Sequence, residues 1–78
     1  MSAQKITVTA YAGYRNDERP GALVLYDEKI TIKEILNRWI EEDPAGISRK
    51  RYFTVKGSDG YIYKIYYDEK KEEWFLVV

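Results

Sequence analysis

The sequence predicts an α+β fold: one amphipathic helix resting on a small, curved antiparallel sheet of five or six strands. The predicted order is β-β-β-α-β-β-β, within a single domain spanning residues 1–78. Three observations predict it. Apolar side chains recur at helical spacing over residues 30–42, behind a capping signal. Runs rich in β-branched and aromatic residues, separated by turn residues, lie on both sides of that segment. Two loops near the C-terminus independently place the large apolar side chains of three strands on one face.

The helix is legible at both ends. Thr31 reads as an N-cap with Glu34 three residues later, a capping box, and Ile30 and Ile35 are spaced for a hydrophobic staple. Ile32, Ile35, Leu36, Trp39 and Ile40 fall on one face; Lys33, Glu34, Asn37, Arg38, Glu41 and Glu42 fill the other. Pro44 disfavours helical geometry at Asp43, so the helix is expected to stop at about Glu42.

Before it, residues 5–11 alternate, with Ile6, Val8 and Ala10 on one side and Thr7, Thr9 and Tyr11 on the other, as a strand does. Residues 13–21 have no period, carry charges in the middle and Gly or Pro near both ends, and read as a long surface loop. Residues 22–26 read as a second strand. Asp27 and Glu28 read as a tight turn into a short third strand, residues 29–31, that feeds the helix.

After the connection containing Pro44 and Gly46, three strands form a meander: residues 51–56, 61–67 and 73–78. Ser58-Asp59-Gly60 suits a three-residue hairpin loop with Gly60 in the left-handed position, which pairs Gly57 with Tyr61, Val55 with Tyr63 and Phe53 with Ile65. A second loop near residues 69–72 pairs Tyr67 with Trp74, Ile65 with Leu76 and Tyr63 with Val78. Phe53, Val55, Tyr63, Ile65, Tyr67, Trp74, Leu76 and Val78 then share one face, the expected bed for the helix and its Trp39. The opposite face carries Tyr52, Thr54, Lys56, Ile62, Lys64, Tyr66, Phe75 and Val77. Either the N-terminal hairpin curls over it to close a barrel-like sheet, or it is an exposed aromatic and basic binding surface.

Composition narrows the function. Thirteen basic and thirteen acidic side chains cancel, which argues against a dedicated nucleic-acid binder but leaves room for a local basic patch. With no His and no Cys, neither a Ser–His nor a Cys–His nucleophile pair can form within one chain, and thiolate metal sites and disulfides are excluded. Carboxylates cluster at Asp17-Glu18, Glu41-Glu42-Asp43 and Asp68-Glu69, each on a loop or a solvated helix end. No phosphate loop, dinucleotide turn or EF-hand pattern is present. The expectation is a non-enzymatic module without cofactor or metal. No secretory leader or membrane span is visible, so the expected location is the cytoplasm.

The candidate binding surface is Arg49, Lys50, Arg51, Tyr52, Lys56, Lys64 and Tyr66, where cations interleave with flat rings. A protein partner or a homo-oligomer is the first expectation, with the apolar C-terminal strand from Trp74 to Val78 as an edge open to pairing. The alternative is single-stranded nucleic acid, phosphates meeting the cations and bases the rings, through Tyr52, Lys56, Lys64, Tyr66 and Arg51. Arg15 and Arg19 would extend that surface, although Asp17 and Glu18 beside them would repel phosphate.

The residue order also resembles a family of short, uncharacterised prokaryotic domains. Its marks are a Tyr-rich loop with Arg-Pro (residues 11–20), Leu-x-x-Trp (Leu36 to Trp39), and Arg51-Tyr52-Phe53. An Asp59-Gly60 hairpin, Tyr67-Asp68 and a closing Trp-x-Leu-Val (residues 74–77) follow. The likeness covers most of the chain. Its motifs are packing and turn signals, so it implies no catalytic residues. Where this chain has Leu23 and Val24, such domains include an aromatic. Similar domains accompany proteins like the translesion DNA polymerases, an implication that favours the nucleic-acid alternative.

Overall fold

A computed structural model describes residues 3–11 and 19–77. The described residues form six strands and no helix: β1 (Ala3–Tyr11), β2 (Arg19–Leu25), β3 (Glu28–Glu42), β4 (Arg49–Gly57), β5 (Ile62–Asp68) and β6 (Glu73–Val77). Each strand runs antiparallel to its neighbour in sequence, and β1 also pairs with β6, which closes the sheet into a barrel. The expected α+β architecture is therefore wrong. The segment predicted as the helix is β3, a strand of 15 residues.

The helical spacing has another origin. Along β3 the register with β4 shifts between Ile32 and Glu34 and again between Ile35 and Asn37. Each shift inserts one extra residue, Lys33 and then Leu36, so residues facing the interior fall three apart instead of two. Ile32 and Ile35 accordingly both pack against the core. A twice-bulged strand and one face of a helix share this pattern. Ile30, Thr31, Ile32, Ile35 and Ile40 are β-branched, stiff in a helix and well suited to a pleated surface. Thr31 caps nothing: its carbonyl accepts from the Ser58 amide at 2.7 Å.

The meander registers match the expectation. Val55 pairs with Tyr63, Phe53 with Ile65, Ile65 with Leu76 and Tyr67 with Trp74. Gly60 takes a left-handed φ of 88° in the Ser58–Gly60 loop. Val78 lies outside the described residues. The first hairpin turn falls one residue earlier than expected, at Tyr26 and Asp27, with φ of 50° and 64°. Leu25 and Glu28 then pair across a two-residue turn whose twist suits the flanking strands. Of the expected loop over 13–21, Arg19 to Gly21 belong to β2, while 12–18, including Arg15 and the acidic pair before Arg19, lie outside the described residues.

The inward face of the meander packs on the N-terminal strands instead of a helix. Ile6, Leu23, Ile30, Phe53, Val55, Ile65 and Leu76 form one buried cluster, flanked by Val8, Leu25, Tyr63 and Trp74. Leu23, Val55 and Ile65 are completely buried. A barrel this narrow is filled by side chains. None of its elements is a helix long and apolar enough to cross a membrane.

Gly57 marks the tightest approach. A Cβ there would lie 2.7 Å from Ile30 Cγ2, 2.7 Å from Asp59 Oδ1 and 3.1 Å from Tyr63 Cε2. Overpacking of this kind costs about 1–3 kcal/mol. Gly57→Ala is expected to destabilise the barrel by that amount in denaturant unfolding, with Gly46→Ala a poor control because Gly46 itself has φ of 71°. In the same hairpin Tyr63 donates its hydroxyl to the Asp59 carboxylate. That bond holds Asp59 below the usual carboxylate range and pushes Tyr63 up to about 12. Its contribution is complete between the two transitions, is lost as pH falls through the lowered Asp59 value, and is lost again as pH climbs from the ordinary tyrosine range toward about 12. Tyr63→Phe is expected to remove the alkaline loss from a plot of stability against pH and to shrink the acid one, which the Tyr61 and Asp59 amides still support.

Candidate binding face

Residues on the outer wall of β3 to β6 form rows across the strands. Trp39 pairs with Tyr52, Tyr52 with Tyr66, and Tyr66 with Phe75, so four rings stand side by side on four consecutive strands. Trp39 and Tyr52 lie 5.2 Å apart with planes within 6°. Tyr52 and Tyr66 are separated by 5.0 Å, Tyr66 and Phe75 by 5.1 Å. These spacings follow from the roughly 4.8 Å between neighbouring strands, which sets rings in direct register close to stacking distance. All four rings are half-buried, and they bury one another.

Three lysines meet this ladder. Lys64 Nζ sits 5.2 Å from the Trp39 ring and 5.5 Å from Tyr52; Lys50 Nζ lies 5.4 Å from Tyr66, and Lys71 Nζ 5.5 Å from Phe75. Each such contact contributes about 0.5–1 kcal/mol at an exposed site. Among the described residues none of these ammoniums has a carboxylate within ion-pair distance; the ion pairs belong to Lys5, Arg49 and Arg51. One flank of the ladder is acidic. Glu41 accepts from Trp39 Nε1 at 3.0 Å, and burial, followed by the charge of Glu41 and then Tyr66, raises the Tyr52 phenol.

The basic run is split by strand parity. Lys50 and Tyr52 point outward, whereas Arg49 and Arg51 share the side of buried Phe53, at the end of the barrel. There Arg51 Nε donates to Glu69 Oε2 at 2.7 Å, and Arg49 Nε lies 3.6 Å from the same carboxylate oxygen. Lys56 is outward but away from the rings, beside Glu34 and Ile62. The structure thus brings Lys50, Tyr52, Lys64 and Tyr66 together, sets Lys56 one side of them, and assigns Arg49 and Arg51 to Glu69. Trp39, Phe75 and Lys71 belong to the face beyond the expected binding residues. Phe75 was readable from the loop register that puts it opposite Tyr66. Trp39 was not, because its placement depends on β3 being a strand.

Two further expectations are corrected. The N-terminal hairpin closes the barrel but does so edge to edge, leaving the Tyr52–Tyr66 side outside, so this face is not a second core. The C-terminal strand is no open edge: β6 pairs with β5 on one side and β1 on the other. Among the described residues no three His, Cys, Asp or Glu side chains gather as metal ligands. No protein-family model, no curated protein and no solved structure matches the chain.

The ladder's geometry limits what it can accept. Inserting a flat ligand between two rings needs about 7 Å, twice a carbon contact distance, and the rings stand at 5.0–5.2 Å. Among the described residues the row ends at Trp39 on one side, where no strand flanks β3, and at Phe75 on the other, which has Lys5 of β1 opposite it and Lys71 Nζ over its ring. What the ladder offers elsewhere is ring edges, two phenol hydroxyls and three ammoniums. A double-mutant cycle over Tyr52→Ala and Tyr66→Ala is expected to return a coupling of about 0.5–1.5 kcal/mol in denaturant unfolding, against none for Tyr52 with Tyr26 on the far hairpin turn.

Proposed function

We propose that this chain is a small non-enzymatic binding module that docks a carboxylate-bearing protein partner on the outer wall of β3 to β6. The observation that carries the reading is the convergence of Lys50, Lys64 and Lys71 on one row of rings with, among the described residues, no carboxylate within ion-pair distance of any of them. Large amphipathic rings at a centre with mobile cations around them are what a protein interface uses: the rings supply area and the ammoniums supply steering. The faces of Tyr52 and Tyr66 are already occupied by their neighbours. The surface therefore suits a ligand that lies across ring edges better than one that must slide between rings.

Single-stranded nucleic acid is the second reading. The interleaving of lysines with aromatic side chains favours it, as does the resemblance to domains that accompany translesion-polymerase-like proteins. Against it stand the acidic flank at Glu41 and the diversion of Arg49 and Arg51 to Glu69.

Tryptophan fluorescence titration separates the two. An acidic peptide of alternating Glu and Phe is expected to bind at low salt, and Lys64→Glu to weaken it roughly tenfold, about 1.4 kcal/mol. A mixed-sequence DNA oligonucleotide that binds more tightly than the peptide, with affinity falling steeply with salt, replaces the first reading by the second. If neither probe binds at low salt, the outer wall is a packing feature and both readings fail.

A further inference from the structure

The barrel is closed, yet β3 is not covered along its length. β2 pairs with it only from Leu25↔Glu28 to Ala22↔Thr31, while β4 accompanies it as far as Glu42. Among the described residues, 32–42 of β3 have no strand on the β2 side. The bulges at Lys33 and Leu36 interrupt the first part of this edge, as bulges commonly do where an edge must be blunted. From Asn37 to Glu42 the register is unbroken.

The direction of the backbone groups there follows from the hairpin. The Asp43 amide donates to the Ser48 carbonyl at 3.0 Å, so Asp43 bonds toward β4. Bonding alternates along an antiparallel pair, which turns Glu41, Trp39 and Asn37 toward β4 as well. Glu42, Ile40 and Arg38 therefore aim N–H and C=O at the open side, where the Arg38 N–H donates to Asn37 Oδ1 at 2.9 Å. The far side of β4 agrees: the Arg49 carbonyl accepts from Glu69 and the Gly57 amide donates to Tyr61, so odd-numbered residues of β4 serve β5 and even-numbered ones serve β3.

This edge carries a charge pattern that selects its own partner. In a two-fold antiparallel pairing of β3 with a second copy, outward residues must meet outward residues, so the axis passes through a single residue. An axis at Arg38 sets two guanidiniums opposite each other, and one at Glu41 sets two carboxylates opposite. An axis at Trp39 pairs Arg38 with Ile40. An axis at Ile40 pairs that side chain, 49% exposed, with its own copy and sets Arg38 opposite Glu42 twice. It also engages the N–H and C=O of Ile40 and Glu42 and the C=O of Arg38, while the Arg38 N–H exchanges Asn37 Oδ1 for the second copy's Glu42 carbonyl. Among the described residues Glu42 is held only by Arg49 at 3.9 Å, the limit of an ion pair.

We propose that β3 pairs with β3 of a second copy of this chain, antiparallel and centred on Ile40, with Arg38 and Glu42 matched across the seam. Trp39 is outward at the same place, so the two ring ladders approach each other diagonally across the dimer axis. A seam of five residues per copy buries less than a standard interface, and the dimer is accordingly weak and concentration-dependent. It does not depend on what the outer wall binds.

Sedimentation equilibrium of the intact chain at rising concentration tests this, with near-ultraviolet circular dichroism as the check of folding. The wild-type mass is expected to climb toward two chains. Arg38→Glu and Glu42→Arg, which put like charges opposite, are each expected to weaken association roughly tenfold or more, and the double reversal R38E/E42R to restore it. Ile40→Pro removes an N–H that the barrel itself does not use and is expected to leave a folded single chain. The proposal is overturned if the wild type stays a single chain at the highest attainable concentration, if either charge reversal associates as the wild type does, or if the double reversal fails to restore the dimer.

Discussion

Everything in this fold depends on β1 pairing with two partners. Its first residues bond to β6 and its later ones to β2, and without that double engagement the six strands would be an open ribbon with a greasy inner face. Closure lets 78 residues bury Ile6, Leu23, Ile30, Phe53, Val55, Ile65 and Leu76 in one cluster without disulfides. A narrow barrel is filled by its own side chains, so what it presents to other molecules is its outer wall and its ends. The Phe53–Trp74–Tyr67 ring contacts, at 5.8 and 5.2 Å, close one end in place of a helix.

The meander was legible because its turns are local. Ser58-Asp59-Gly60 admits few backbone paths, and one path fixes which residues of two strands oppose each other. Asp68 does the same for the next loop, where its carboxylate accepts from the amides of Lys70 and Lys71 at 3.0 and 3.2 Å. Two local constraints thus determined a face, and with it Tyr52 opposite Tyr66. The helix was misread for the opposite reason. The bulges of β3 are set by non-local closure, and they rewrite a strand's period of two into spacings of three that imitate a helix. Thr31 and Glu34 completed the imitation by chance of spacing. The β-branched density of 30–40 was the contrary signal on the page, and tertiary context gave it the deciding weight.

The candidate face survived the loss of the helix because it rests on β4, β5 and β6 alone. Its basic run was the part that sequence reading could not resolve, since Arg49, Lys50 and Arg51 are consecutive and strand parity must part them. The parting has a chemical sense. The planar guanidiniums converge at the barrel end, where one carboxylate, Glu69, serves both and accepts a hydrogen bond from Arg51. The ammoniums are left on flexible stems above rings, where a point charge needs no fixed geometry and can turn toward an incoming anion.

Length mismatch between strands explains why a closed barrel still has an edge. β2 has seven residues and β3 fifteen, so closure is complete at one end while at the other β3, β4, β5 and β6 run on as a twisted ribbon. On that ribbon the ring ladder and the unpaired edge meet. The ladder begins at Trp39, the outermost ring because no strand flanks β3 there among the described residues, and the backbone groups of Arg38, Ile40 and Glu42 that face away from β4 lie along the same edge. A shorter β3 would have been a safer edge. It would also have removed Trp39 from the row of rings and left Lys64 without one of its two aromatic neighbours, so the extension that exposes the edge is the same one that completes the face.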